Sequence, residues 1–568
     1  MRRRAKWRPV AAHLRVACAV AGFGTGGCAT VLGIGDWTNL TDAGENDSTT
    51  GALDADATKG GPDATAARDD AGRDAPNDSL PSVDVVGEAD AREDVADDAA
   101  IDGEGDVVAD AETGPTSGTP SWAKNFGTAG DTVAMAVAMA PSNGDVLVVG
   151  NFAGSLNLGG GVVASQADAA SGEDTFVARF DSSGAYEWSK TFGSGLITTA
   201  TGVAVDAHGN VIVGGLFQGT MSFGGDPVSA VGVDDLFLVE FDSMGNYQWQ
   251  RTFGTAGQAQ VLNSVAVDSQ GNVVIAGQGA SLGLGGQPLT GYYLAKFGAS
   301  GASDWSSAFS ATTNQGGPWL TVDSEDNCIL AGSFSSTLDF GANTLTSAGS
   351  LDAFVAKFNS SGAYQWAHQY GDASAQWITS VATDANTNIV VTGSFGGAID
   401  FGGVALDAEA GVNAFLAKLD PMTGNGVWAD QFVVPPQPQD ARIELGALTV
   451  AVDGEGSPTI GCNLIGSIDF GGGALSSEGD HSAAVAHFDP TGKYRWAYSG
   501  GSPSTAEQSS AANNMSVAAS DDAVVFAGGF GTCPTTCANS PLGTTLILGD
   551  ETLRAISAED LFLVSFAP

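Results

Sequence analysis

A chain of 568 residues is long enough for several domains, and its formal charge of −44 at pH 7 excludes nucleic acid and anionic lipid as charge-held partners, since both are gripped by Lys and Arg. Residues 1–40 carry six Lys/Arg and one Asp (+5), residues 41–120 carry four basic and 22 acidic residues (−18), and the remaining 11 basic and 42 acidic residues give −31. The middle of the tail and everything after it are therefore acidic.

The first residues, MRRRAKWR, form a basic stretch, followed by a short apolar run from Val16 to Phe23 and then Gly24-Thr25-Gly26-Gly27-Cys28. This resembles a bacterial secretory signal, too short and too interrupted by Arg15 to span a membrane. The small residues before Cys28 resemble a lipoprotein processing site, in which the Cys is acylated and becomes the mature N-terminus, although Thr25 stands where that pattern prefers Leu. That resemblance implies residues 1–28 as signal with lipidation at Cys28; ordinary cleavage near Ala17-Cys18-Ala19 or Ala29 is the alternative and gives a secreted protein. Residues 29–120 are read as a linker, Asp/Ala-rich and poor in aromatics over 41–120, so they cannot bury enough apolar surface to offset chain entropy. As a flexible chain, about 80 residues reach on the order of 50 Å. Calcium loops at Asp54-Ala55-Asp56 and Asp102 to Asp106 are disfavoured, because neither has Gly at the sixth position of a calcium loop.

From Trp122 onward four signals recur in fixed order. A Trp-bearing segment appears at Trp122, Trp188, Trp249, Trp305, Trp366, Trp428 and Trp496, often followed by Phe-Gly. A strand-turn-strand follows, such as VAVDAHGNVIVGGLF at 203–217, where Asp206 and Gly209 predict a tight turn. A Phe-Gly-Gly loop or a variant of it comes next, at Phe223, Phe340, Phe401 and Phe470 among others, and then a run such as DAFVAKF at 352–358, apolar on both faces as a strand between two neighbouring sheets would be. The glycines after the second strand (Gly214, Gly215, Gly277, Gly393) are expected to leave room for a large Trp or Phe.

The Trp positions are 66, 61, 56, 61, 62 and 68 residues apart, a period that fits four short strands per repeat. A solenoid would show capping repeats, whereas here the ends are complementary. SWAKNFG at 121–127 has no preceding DAFVAKF-type strand, and DLFLVSF at 560–566 has no following Trp segment. The expectation is an all-β chain in which residues 121–568 form a seven-bladed β-propeller of four-stranded blades, closed by the N-terminal strand and preceded by a disordered acidic tail.

The pattern V-A-V-D-x-x-G-N-V followed by D-A-F-V-A-K-F and a Trp resembles bacterial β-propeller repeat proteins of the SBBP type, over roughly residues 121–568. The Asp/Ala-rich stretch after Cys28 looks like that of myxobacterial lipoproteins. The resemblance implies the fold and carries no shared activity.

No motif for catalysis, phosphate binding or a cofactor is found, and no metal site is assigned. His481 and His487, six apart and so on one face of a strand, are read as blade-edge substitutions rather than ligands, His487 taking the place of Lys357. Cys328 and Cys462 read as buried thiols, while Cys533 and Cys537 in GTCPTTC read as a local disulfide in an oxidising compartment. The expected function is an envelope-anchored binding or scaffold module without catalysis, at the outer membrane or cell surface. The alternative is an extracellular propeller hydrolase or lyase with a loop-assembled active site. The expected partner is a protein or glycan on the face of the long loops, with residues 531–559 and 431–445 foremost; the membrane is met through the lipid alone and nucleic acid not at all.

Overall fold

The computed structural model describes residues 118–127, 130–166, 172–314, 316–433, 448–477, 482–501, 510–532, 545–555 and 559–568. They all lie in one of two compact units; the other, Thr38–Thr113, contains no described residue. The expectations for the signal, Cys28, the acidic linker, Cys533, Cys537 and His481 thus fall outside the described residues.

Every described regular element is a β-strand. Strands follow one another in antiparallel sets of four, which run inner, second, third and outer. The first set is Thr132–Met139, Val146–Phe152, Asp174–Phe180 and Tyr186–Phe192; the second is Thr198–Val205, Val211–Phe217, Asp235–Phe241 and Tyr247–Phe253. The third is Val261–Val267, Val273–Leu282, Leu289–Phe297 and Ser303–Asn314, and the fourth Trp319–Val322, Cys328–Asp339, Asp352–Phe358 and Tyr364–Tyr370. These two merge into one open sheet where Ser303–Asn314 pairs with Cys328–Asp339. The fifth is Gln376–Thr383, Ile389–Asp400, Ala405–Leu419 and Gly426–Phe432, and the sixth Thr449–Val452, Pro458–Leu464, Ser482–Phe488 and Tyr494–Gly500. The seventh takes Ser510–Ala519, Val524–Thr532 and Glu559–Phe566 from the end of the chain and Pro120–Phe126 from its beginning. Trp122 lies opposite Ser565 and Phe126 opposite Leu561.

The near-continuous apolar runs of the second and third strands have a physical reason in this stacking. DTFVARF, DLFLVEF and DAFVAKF are buried at every position, because each face of a sheet lies against a neighbouring set. The apolar core is accordingly divided into clusters, each shared by two sets. One joins Val149 and Phe192 of the first set to Phe217 and Phe241 of the second. Another joins Val148 and Phe176 of the first set to Val525 and Leu563 of the seventh.

Inner strands carry a recurrent bulge, seen as register shifts at Ala134/Ala136, Ala200/Gly202, Leu262/Ser264, Ile378/Ser380 and Asn513/Ser516. The serines bordering these bulges accept backbone N–H groups from the inner strand one set away. Leu320 donates to Ser264 Oγ (3.2 Å), Val450 to Ser380 Oγ (3.2 Å) and Val137 to Ser516 Oγ (3.1 Å). The last of these links the first set to the seventh.

Two expectations are refined. The Phe-Gly-Gly stretches form small second hairpins, such as Thr220–Met221 with Val228–Ser229 and Ser467–Asp469 with Ala474–Ser476, because Phe223, Phe340, Phe401 and Phe470 are pulled into the core. The glycines expected after the second strand lie within it, and they make room for a Phe, as expected, or for a Tyr and the backbone of the inner strand rather than for a Trp. A Cβ on Gly215 would meet the Thr199 carbonyl and the Phe237 ring, and one on Gly277 the Val261 carbonyl and Tyr293.

Candidate binding face and its framework

Each of the first six sets has two tight turns at one end. Asp206 Oδ1 accepts from the backbone N–H of His208 and Asn210 (both 2.8 Å), and Gly209, at φ +80°, donates back to the Asp206 carbonyl. Asp268, Asp323 and Asp384 build the same turn. The third-to-outer turns repeat the device with Asp181, Asp242, Asn359, Asp420 and Asp489.

The recurring Trp residues occupy the outer strands and reach across to these turns. Trp122 Nε1 donates to the Ser182 carbonyl (2.9 Å), Trp188 to Ser243 (3.0 Å), Trp249 to Ala299 (2.9 Å), Trp305 to Ser360 (3.3 Å), Trp366 to Pro421 (3.2 Å) and Trp428 to Pro490 (3.2 Å). Each indole belongs to one set and each acceptor to the next; for Trp122 the step runs from the seventh set to the first. The turn glycines Gly184, Gly245, Gly301, Gly362, Gly424 and Gly492 lie against these rings, leaving no space for a Cβ. Gly118 lies in the same way on Trp496.

A second periodic contact was not anticipated from the sequence. The turn Asp is buried and paired with a cation from the third strand: Lys296–Asp268 at 2.7 Å, Lys357–Asp323 at 3.0 Å, Lys418–Asp384 at 2.8 Å, and Arg179–Asp145 at 2.7 Å in the variant first turn. Burial pushes the Asp268 and Asp384 carboxyls upward, but the ammonium, the Asn amide and backbone N–H groups outweigh it and hold both below the usual range. The signal available was the co-occurrence, in the third, fourth and fifth repeats, of the turn Asp with the Lys of the third strand.

The sixth set departs from this scheme. His487 sits opposite Trp496 as Lys357 sits opposite Trp366, stacks on that indole at 5.3 Å and shares a 2.9 Å hydrogen bond with Thr459 Oγ1. Burial and the nearby Arg495 push its imidazole down to about 4, so it is neutral. Cys328 and Cys462 are buried, and burial pushes both thiols up to about 12, which suits a packing role.

The opposite end of the sets carries the longer connections. Backbone bonds knit the two kinds together: Gln218 donates to the Ile197 carbonyl (3.0 Å), Gly396 to Ala375 (2.9 Å) and Val233 to Gln258 (3.0 Å). Exposed apolar residues stand in this region, among them Leu196, Val231 and Val233. Of the two stretches favoured by the sequence, residues 434–445 and 533–544 lie outside the described residues, as do Pro435 and Pro436. The hairpin Thr545–Leu548 with Glu551–Arg554 is described and is framework, since Leu546, Leu548 and Leu553 are buried in the core between the sixth and seventh sets. Among the described residues no three His, Cys, Asp or Glu side chains converge as a metal site would require, and no helix is long and apolar enough to cross a membrane.

No family model matches the chain. An uncharacterized WD repeat-containing protein of Acanthamoeba polyphaga mimivirus is 24% identical over 199 residues, which are 28% of this chain and 14% of that protein. The chain thus spans a small part of that relative's length. Solved structures with similarity include Sqt1 from Chaetomium thermophilum (11% identity, 79% of this chain and 100% of that one, TM-score 0.36) and the WD40 domain of Neurospora crassa Pan2 (10%, 58% and 86%, 0.31). A polysaccharide lyase, an ulvan lyase, is similar at 10% identity over 75% of this chain and 97% of that one, with a TM-score of 0.38.

Proposed function

We propose that residues 121–568 form a seven-bladed propeller closed by the Pro120–Phe126 strand, acting as a binding or scaffold module of SBBP type rather than an enzyme. In this reading the module is held at the cell envelope by an acylated Cys28 and the acidic spacer 29–120. The observation that carries it is the division of labour between the two ends of the sets. The recurring Asp, Lys and Trp side chains are consumed by turns, buried ion pairs and set-to-set bonds. The stretches that vary from repeat to repeat fall at the other end, where a rigid frame can present them. A net charge of −31 beyond residue 120 favours a cationic, metal-bridged or neutral glycan ligand, or a protein of matching charge. Cys533 and Cys537 would be joined as a local staple within the foremost loop.

The test replaces residues 533–544 with a short Gly/Ser linker, sparing the buried hairpin that follows. Capture of glycans on an array or of envelope proteins in a pull-down should be lost while the thermal midpoint stays unchanged. Binding that survives this change and is lost only through substitutions in the tight turns would place the ligand on the other face. In the same preparation, Cys28→Ser should move the protein from the membrane to the soluble fraction; equal partitioning would remove the anchor from the proposal.

A further inference from the structure

The second set places an acid where its neighbours place a cation. Glu240 lies opposite Ile212 and Trp249, the register in which Lys296 lies opposite Val274 and Trp305. Its turn keeps the usual Asp206, so two carboxyl groups occupy the position that holds an ion pair in the third, fourth and fifth sets. Both are buried, Glu240 at 7% and Asp206 at 5% exposure. Removing a carboxylate from water beside another carboxylate favours the protonated acid.

Glu240 also touches the indole that ties this set to the next. Its Oε2 accepts from Trp249 Nε1 at 3.0 Å, while the same N–H donates to the Ala299 carbonyl of the third set at 2.9 Å. Trp188, Trp305, Trp366 and Trp428 face Arg179, Lys296, Lys357 and Lys418 in the same register and give their N–H to the neighbouring turn. One N–H shared by two acceptors is divided according to the charge on Glu240.

We propose that Glu240 is a proton-operated latch on the contact between the second and third sets, closed when its carboxyl is neutral and loosened when ionisation draws the Trp249 N–H from Ala299. The surrounding charged groups leave this role to Glu240. Arg179 of the first set is engaged by Asp145 and Glu187 and by the Gly209 carbonyl. Lys296 and Asp268 of the third set are paired with each other. Arg251 lies over the Trp249 ring at 5.6 Å and donates to the Gly301 and Ser300 carbonyls. His208, exposed in the Asp206 turn, has Nδ1 3.7 Å from Asp206 Oδ2.

Burial, with Asp206 adding to it and the Trp249 bond opposing, pushes the Glu240 carboxyl up to about 7. An acid raised on folding contributes stability that is full below its unfolded value near 4.5 and lost as pH rises through 7. The latch is therefore closed in mild acid and loosened in mild base.

The experiment follows thermal unfolding of the full chain between about pH 5.5 and 8, with His208→Gln as the common background so that the exposed imidazole drops out. The parent midpoint should fall toward pH 8 by about 2 °C more than that of Glu240→Gln, which cannot ionise. Amide exchange at residues 299–301, corrected for its intrinsic pH dependence, should quicken over the same range in the parent alone. Glu240→Lys, which restores the cation opposite Asp206, should raise the midpoint at pH 8. Parallel curves for the parent and Glu240→Gln overturn the proposal, and this comparison stands even if Glu240→Lys fails to fold.

Discussion

Asp384 shows how a residue chosen for a turn acquires a second duty. Its carboxylate holds the Asn386 and Asn388 backbone N–H groups and the Asn388 amide, and the Lys418 ammonium reaches it at 2.8 Å with both side chains nearly out of water. Lys418→Met should therefore cost about 3 kcal/mol at pH 7, because it strands a buried charge. Asp384 lies below its usual value when folded, so its contribution is full above the unfolded pKa near 3.8 and lost as pH falls through the folded one. The deficit of Lys418→Met should accordingly shrink in urea titrations as the pH approaches 3, and a pH-independent deficit would assign the loss to packing. The turn was legible from Asp384 and Asn388, a local pattern. Its partner was not, since Asp384 and Lys418 are 34 residues apart and meet only through strand register.

Among the elements, the third-to-outer hairpin is the unit that joins one set to the next. Gly362 has φ +78°, and a Cβ there would enter the Trp305 ring, so Gly362→Ala meets both a backbone penalty and a clash. Gly257 has φ +72° with nothing within 4 Å, so Gly257→Ala meets the first alone, about 1 kcal/mol. Gly362→Ala should be the costlier by about 1–3 kcal/mol in equilibrium unfolding, the range for overpacking. Equal losses would mean that the indole moves aside freely. The sequence displayed these hairpins as near-copies and gave their strands within a residue or two. It did not disclose where the indoles point, because the acceptor lies in the next repeat. The Phe-Gly-Gly stretches were likewise read as loops: two- and three-residue strands such as Ser155–Leu156 and Thr344–Thr346 are too short for an alternation pattern to register.

At the scale of the whole molecule, the complementary ends were the most legible feature, and the pairing of Pro120–Phe126 with Glu559–Phe566 joins them in one sheet. The face expected to bind was less legible, because its connections differ from repeat to repeat and repetition no longer identifies them. The end-to-end pairing has a kinetic consequence. Asn125 Nδ2 donates to Asp560 Oδ2 across 435 positions of chain, whereas the other third-to-outer pairs close over a tight turn. Closing so long a loop costs about 3 kcal/mol more entropy than closing a ten-residue hairpin. During refolding the first six sets can assemble from near neighbours, while the seventh waits for the most distant encounter in the chain. Moving residues 118–127 behind Pro568 through a short turn would make that encounter local. The permuted chain should refold faster in stopped-flow measurements with its unfolding rate little changed, and an unaltered refolding rate would show that another step governs assembly.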